Sequence, residues 1–434
     1  MKARPADSDC LWRDPLSGAR VTYGELRASV GVGMVELRPW LRPANPGEAV
    51  LGLLSALLLG CELTLVDVDF SAEEAASVGA TAERLAEQVR VPGRCFEDAA
   101  AMVAAPRRGE GGGVSPGGFK LTLFTSGSTG LPKQVTHGLA GLSRMVRLGE
   151  RHGADVWGMA YNATHIAGVQ VILQAFFNGN ALVQLFGHGS AAVWRMIEAE
   201  GITHLSATPS FYRLLLGATA GGEHDTTLVE ARGVRAVTLG GERCDEGLRA
   251  RLAARFPEAR IRNVYASTEA GSLFVAEGEV FSVSPELAGR VRIVDGELQV
   301  AADLLGDFAG GAQSVTDGWY RTGDTVERVG DEPLRWRILS RERDWVNVGG
   351  HKVNPGEVEA VLLAYPGVIE ARVYGRANSV LGQILVAELV ASPVPDEAEL
   401  RAFLSGRLQP AKVPRLIKFV GRIARGRTGK QLGA

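Results

Sequence analysis

The chain has 434 residues, with 47 Lys and Arg against 49 Asp and Glu and a formal net charge of -2, which excludes a polyanion-coating protein and removes nucleic acid as an expected partner. Hydrophobic residues make up 46% and charged residues 22%, the balance of a globular chain too long for one ordinary domain. The four cysteines (Cys10, Cys61, Cys95 and Cys244) have neither metal-ligand nor redox spacing, so they read as reduced thiols of a cytoplasmic protein.

The first ten residues, MKARPADSDC, have no apolar run behind their charges and do not read as a signal peptide. GEAVLGLLSALLLG predicts a helix and ELTLVDVD a strand. The apolar stretch 50–66 is interrupted by Gly52, Gly60 and Glu62, whereas a membrane span needs roughly 20 unbroken apolar residues. A buried helix running into a buried strand is expected there, and no membrane association. Residues 107–118 are glycine-rich without periodicity and predict a flexible connection. FKLTLFT, VRAVTLGG and IRNVYAS then predict buried strands, with FYRLLLGA helical between the first two. Such alternation implies an α/β fold, in which helix-covered mixed sheets place ligands outside the carboxyl ends of their strands. Composition shifts near Ser340. After it, KVNPGEVEAVLLAYPGV predicts a turn and a helix, EARVYG and ILVAELV strands, and DEAELRAFLSGRL a helix. The expectation is a large N-terminal domain over 1–340, a hinge at 341–344 and a small α+β domain over 345–434.

The strongest local signal is Thr125-Ser126-Gly127-Ser128-Thr129-Gly130-Leu131-Pro132-Lys133, directly after a predicted strand. Glycines admit an anion close to the backbone, hydroxyls and amides donate to it, and Lys133 adds charge. This is not the Walker pattern, because no Lys-Ser/Thr follows a glycine at the required spacing. A solvated Ser/Gly loop is the competing reading.

TSGSTGLPK resembles the phosphate loop of the adenylate-forming superfamily of acyl- and aryl-CoA synthetases, adenylation domains and luciferases. The resemblance continues in order through VTYGEL at 21–26, His165-Ile166-Ala167-Gly168, Leu239-Gly240-Gly241-Glu242 and Tyr265-Ala266-Ser267-Thr268-Glu269. It runs on through Tyr320-Arg321-Thr322-Gly323-Asp324, the stretch 341–359 and Arg427-Thr428-Gly429-Lys430, and so covers essentially the whole chain.

The resemblance implies ATP, Mg2+ and CoA, or a phosphopantetheine arm, as cofactors, and a small-molecule carboxylic acid as substrate. By that resemblance, residues 125–130 with Lys133 hold the β- and γ-phosphates, and Gly240, Gly241 and Glu242 with Tyr265, Ala266 and Ser267 surround the nucleotide. Glu269 holds magnesium, Thr268 donates to the α-phosphate, and Asp324 and Arg341 take the ribose. Lys430 stabilises the charge that develops during adenylation, His165 stands by the acyl pocket, and Gly349 and Gly350 with His351 face the pantetheine channel. The physical demand is clear: one anion must be brought up to a polyanion, which needs concentrated N–H and cationic character.

Family hinges usually carry Asp or Lys where this chain has Arg343, with Asp344 next. Family CoA ligases commonly run longer, and the shortfall falls before the phosphate loop. Amino-acid adenylation domains offer an aspartate near the position of Asn162, so an α-amino acid is disfavoured, since an unpaired buried ammonium is costly. CoA is the expected acceptor of the acyl group, with loading of a carrier protein or amide formation as the alternative. A non-catalytic nucleotide-binding scaffold is the reading from another class. A monomer or homodimer is expected.

Overall fold

The structure, a computed structural model, describes residues 5–68, 70–94, 96, 118–125, 132–217, 230–242, 244–308, 315–341, 345–348, 351–378 and 382–423. The apolar stretch near the N-terminus forms the expected helix, Pro46–Leu59. Asn45 caps it by accepting from the Glu48 amide, Pro46 occupies the first turn where a missing N–H costs nothing, and Gly60 ends it at φ 73°. Ten of its fourteen residues are buried, which explains a helix apolar on nearly every side. It leads into the strand Glu62–Leu65.

Two sheets form the body of the fold. In the larger, eight strands lie in the order Gly271–Ala276, Arg260–Ser267, Ala236–Gly240, His204–Ala207, Val156–Met159, Ala181–Gln184, Cys10–Arg13, Arg20–Thr22. The inner pairings are parallel and the outermost pairing at each edge is antiparallel. The second sheet has five strands, Asp307–Phe308, Lys133–His137, Lys120–Thr125, Glu62–Leu65 and Trp40–Leu41. One hydrophobic core joins the two, with Leu11, Trp12 and Leu182 from the first, Leu121 and Leu123 from the second, and the Pro46–Leu59 helix between.

A six-stranded antiparallel sheet follows, built on the hairpin of Trp319–Asp331 and Leu334–Arg341. Its core is aromatic: Phe274 meets Trp336 edge-on at 4.7 Å and 88°. Beyond it, Val346–Val348, His351–Val353, Val368–Asn378, Gly382–Ala391 and Leu416–Phe419 form a further five-stranded sheet, with the helices Pro355–Leu363 and Glu397–Ser405. The core of this last unit, centred on Val358, Leu362, Leu385, Leu400 and Leu404, draws only on residues 346–419. Among the described residues, no helix is long and apolar enough to cross a membrane.

Candidate active site

A cavity of about 750 Å³ lies between one face of the eight-stranded sheet and the helix Ile166–Asn178. Strand periodicity decides what faces it. Along Arg260–Ser267, positions 260, 262, 264 and 266 line the cavity, while Ile261 and Tyr265 enter hydrophobic cores on the other side. Ala236, Thr238 and Gly240 on the next strand, and His204 and Ser206 beyond it, repeat the pattern. The helix offers Ile166, Ala167, Gln170, Val171 and Gln174, spaced for one helical stripe. Its opposite side packs Val169, Ile172 and Leu173 into the main core.

At the carboxyl ends of the strands the cavity gathers His165, Gly240, Gly241, Ala266, Ser267 and Thr268 from the expected set. Tyr265 does not line it, because alternation turns its ring away; its hydroxyl donates to Asp324 Oδ2 at 2.5 Å, and both residues are buried. Asp324 stands opposite Arg341 in the antiparallel register, so the two residues expected at the ribose are brought side by side. Glu242 faces elsewhere: its Oε2 accepts from the Ser210 amide at 2.9 Å, on the first turn of the Pro209–Gly217 helix. Thr125 pairs with Lys133 across the Lys120–Thr125/Lys133–His137 hairpin, so the phosphate-loop segment leaves and re-enters the sheet at one point. Ser126, Gly127, Ser128, Thr129, Gly130, Arg343, Gly349, Gly350 and Lys430 lie outside the described residues, as does most of the 107–118 connection.

The Ser267–Ala270 turn is held by two residues that sequence reading missed. His137 Nε2 lies 2.6 Å from the Thr268 carbonyl, and Arg144 donates to the Ala270 carbonyl at 2.8 Å and to that of Leu304 at 3.1 Å. Burial lowers the His137 pKa, against the opposing pull of that carbonyl, so the ring is neutral and donates. The available signal was alternation after the phosphate loop: His137 falls on the inward side of its strand, as Val135 does. Between these two anchors, Glu269 is half-buried, and its carboxylate has no hydrogen-bond or ion-pair partner among the described residues. A hard oxygen donor held this way fits a magnesium ion carried in with phosphate.

His165 precedes the helix, and its Nε2 lies 2.9 Å from Oδ2 of the buried Asp67, which orients the ring at the cavity wall. Gly168 is required one turn on: a Cβ there would stand 2.2 Å from the Asn162 carbonyl oxygen. Asn162 lines the cavity, but its Oδ1 already accepts from the amide and hydroxyl of Thr164, at 3.0 and 2.9 Å.

Ser267 and Thr268 thus stand at the head of the cavity, with Glu269 next in the same turn. The AMP-binding enzyme family matches residues 114–306, and its C-terminal domain matches residues 357–430. The 2-succinylbenzoate–CoA ligase of Geobacillus kaustophilus is 30% identical over 346 residues, 71% of this chain and 67% of that protein. The fatty acid–[acyl-carrier-protein] ligase ScoC of Streptomyces coeruleorubidus is 27% identical, over 74% of this chain and 67% of its own. Among solved structures, ATP-bound MatB from Rhodopseudomonas palustris shares the fold at TM-score 0.70 and 20% identity, covering 98% of this chain and 94% of that one. The chain belongs to the AMP-binding enzyme family and is of the acyl/aryl-CoA ligase type.

Proposed function

We propose that this chain uses ATP to convert a carboxylic acid into an acyl-adenylate with release of pyrophosphate, and then passes the acyl group to the thiol of CoA. The observation that carries the reading is the single cavity joining Ser267 and Thr268, at the strand ends, to the acid-binding space beside His165. The acid oxygen attacks the α-phosphorus, the bond to the bridging oxygen breaks, and the pyrophosphate leaves with the electron pair. Thr268 donates to the α-phosphate, and Asp324, held by Tyr265, accepts from the ribose hydroxyls with Arg341 alongside. Residues 125–130 and Lys133 hold the outer phosphates, while Gly240, Gly241, Ala266 and Ser267 surround the base and sugar, and Glu242 supports that loop from behind through the Ser210 amide. Glu269 would hold magnesium, which neutralises phosphate charge when bound. Lys430 supports the charge developing between acid and phosphate.

The self-contained core within 346–419 supports a division into 1–340, a hinge at 341–344 and a mobile domain over 345–434. Its movement would exchange Lys430 for the segment of Gly349, Gly350 and His351 at the pantetheine channel. A solved relative supports ATP and magnesium as ligands: O-succinylbenzoate coenzyme A synthetase from Bacillus subtilis, similar at TM-score 0.68, is in complex with both. A carrier-protein thiol is the second reading, supported by the similarity to ScoC. We place the enzyme in the cytoplasm, as a monomer or homodimer with neither nucleic acid nor membrane as partner.

The test separates the half-reactions. Lys430→Ala should abolish acid-dependent pyrophosphate release while sparing thioester formation from a supplied acyl-adenylate. Equal loss of both would refute that division of labour.

A further inference from the structure

The far end of the cavity, at the strand starts, has a different character from its head. Five arginines line it there: Arg147, Arg151, Arg235, Arg260 and Arg262. This concentration stands against a whole-chain charge of -2. The one carboxylate in the same lining, Glu277, is paired with Arg260. Arg235 is paired with the buried Asp155 at 2.8 Å. Arg147, Arg151 and Arg262 have no carboxylate within ion-pair distance among the described residues.

Arg262 is half-buried, and it is the least satisfied of the set. Burial works against its charge and the like charge on Arg260 adds to that; Glu277, already paired with Arg260, pulls the other way, and Arg147 and Arg151 again oppose it. Arg147 is held at the rim by its backbone: its amide donates to Gln174 Oε1 at 2.8 Å, and its carbonyl accepts from Gln174 and Asn178, both at 2.9 Å. Trp157 lies against His204 at the same end, 4.7 Å between ring centres, and its indole Nε1 is a buried donor with no partner among the described residues.

His152, Asp155 and His204 bring ligand atoms within 4.8 Å of one another at this end. Arg235 already neutralises that carboxylate, so a cation there would have to displace a guanidinium. The unmet demand is for an anion. Between the two ends the lining is largely apolar, with Leu142, Val171, Val264 and Val275. Arg262 and Thr268 lie six positions apart along the strand and into the turn that follows it, on the order of 20 Å at ~3.3 Å per residue.

We infer that the acid activated here is an elongated dicarboxylic acid, its reacting carboxylate beside Thr268 and its second carboxylate on Arg262, with Arg147 and Arg151 at the mouth. The inference rests on the cavity being the acid site, as proposed above. It adds a length-dependent anion subsite that excludes plain fatty acids by leaving Arg262 unpaired.

The test is a binding titration on the full chain with a non-hydrolysable ATP analogue present. A ladder of α,ω-dicarboxylic acids is compared with monocarboxylic acids of equal carbon number. At one length the diacid should bind at least about tenfold tighter, as a charge-assisted contact requires. Arg262→Met should erase that preference, and Arg262→Lys should keep part of it. Arg147→Met, on the exposed rim, should reduce it and serves as the second variant should Arg262→Met fail to fold. Equal or weaker binding of diacids at every length, or a preference that survives both methionine variants, overturns the proposal. Pyrophosphate release with any acid is read separately: a chain that prefers diacids but never releases pyrophosphate retains the subsite and loses the proposed reaction.

Discussion

His204 shows how the cavity wall is tuned one residue at a time. Its Nδ1 lies 2.9 Å from the Thr203 hydroxyl, and its Nε2 is 3.4 Å from Asp155. Burial pulls its pKa down to about 4; Asp155 pulls the other way, and Arg235, His152 and Arg262 add to the fall. The folded state therefore keeps the ring neutral where the unfolded chain takes up a proton. The unfolded state binds more protons between the two pKa values, so stability is lost as pH falls from about 6.5 to about 4. Urea midpoints measured across that window should decline towards acid, and His204→Gln should flatten the slope. An unchanged slope in the variant would place the titrating group elsewhere.

At the scale of elements, the Ile166–Asn178 helix forms one wall of the cavity and also packs against the main core, so its seating is exacting. Gly168→Ala would drive a methyl into the Asn162 carbonyl, and overpacking of this kind costs about 1–3 kcal/mol. The urea midpoint should fall accordingly, and KM for the acid should rise because Asn162 and His165 move together. A variant as stable and active as the parent would show that the loop yields freely.

The strand–helix alternation around this wall was legible in the sequence because each strand is flanked by buried helices. GEAVLGLLSALLLG, VRAVTLGG and IRNVYAS announced themselves by apolar content alone. The six-stranded sheet was not legible. Its longest strand, Trp319–Asp331, is mostly half-buried or exposed and meets its hairpin partner through two register shifts, so no clean period of two survives. The head of the cavity was legible through its motifs. His137, Arg144 and Asp67 were not, because each acts from a different element on a residue distant in sequence. The arginine end was half-legible: Arg260 and Arg262 share one face of a strand expected to be buried, an anomaly that asks for a ligand.

At the scale of the whole molecule, the unit at 346–419 keeps its own core, while the preceding sheets share theirs. Chain cleavage between Leu339 and Trp345 should therefore leave two folded pieces. Limited trypsin digestion should cut early in that window, which contains Arg341 and Arg343, and both fragments should retain cooperative thermal transitions. Resistance of the window to cleavage, or collapse of either piece on separation, would reject a boundary there.

The interleaving along Arg260–Ser267 has an evolutionary consequence. Residues 260, 262 and 264 can be exchanged to admit a new substrate while Ile261 and Tyr265 go on maintaining the cores. Diversification is thus cheap by substitution. It is nearly closed to insertion, because one added residue would trade the two sets, setting guanidinium groups in the interior and turning oily side chains towards the guest.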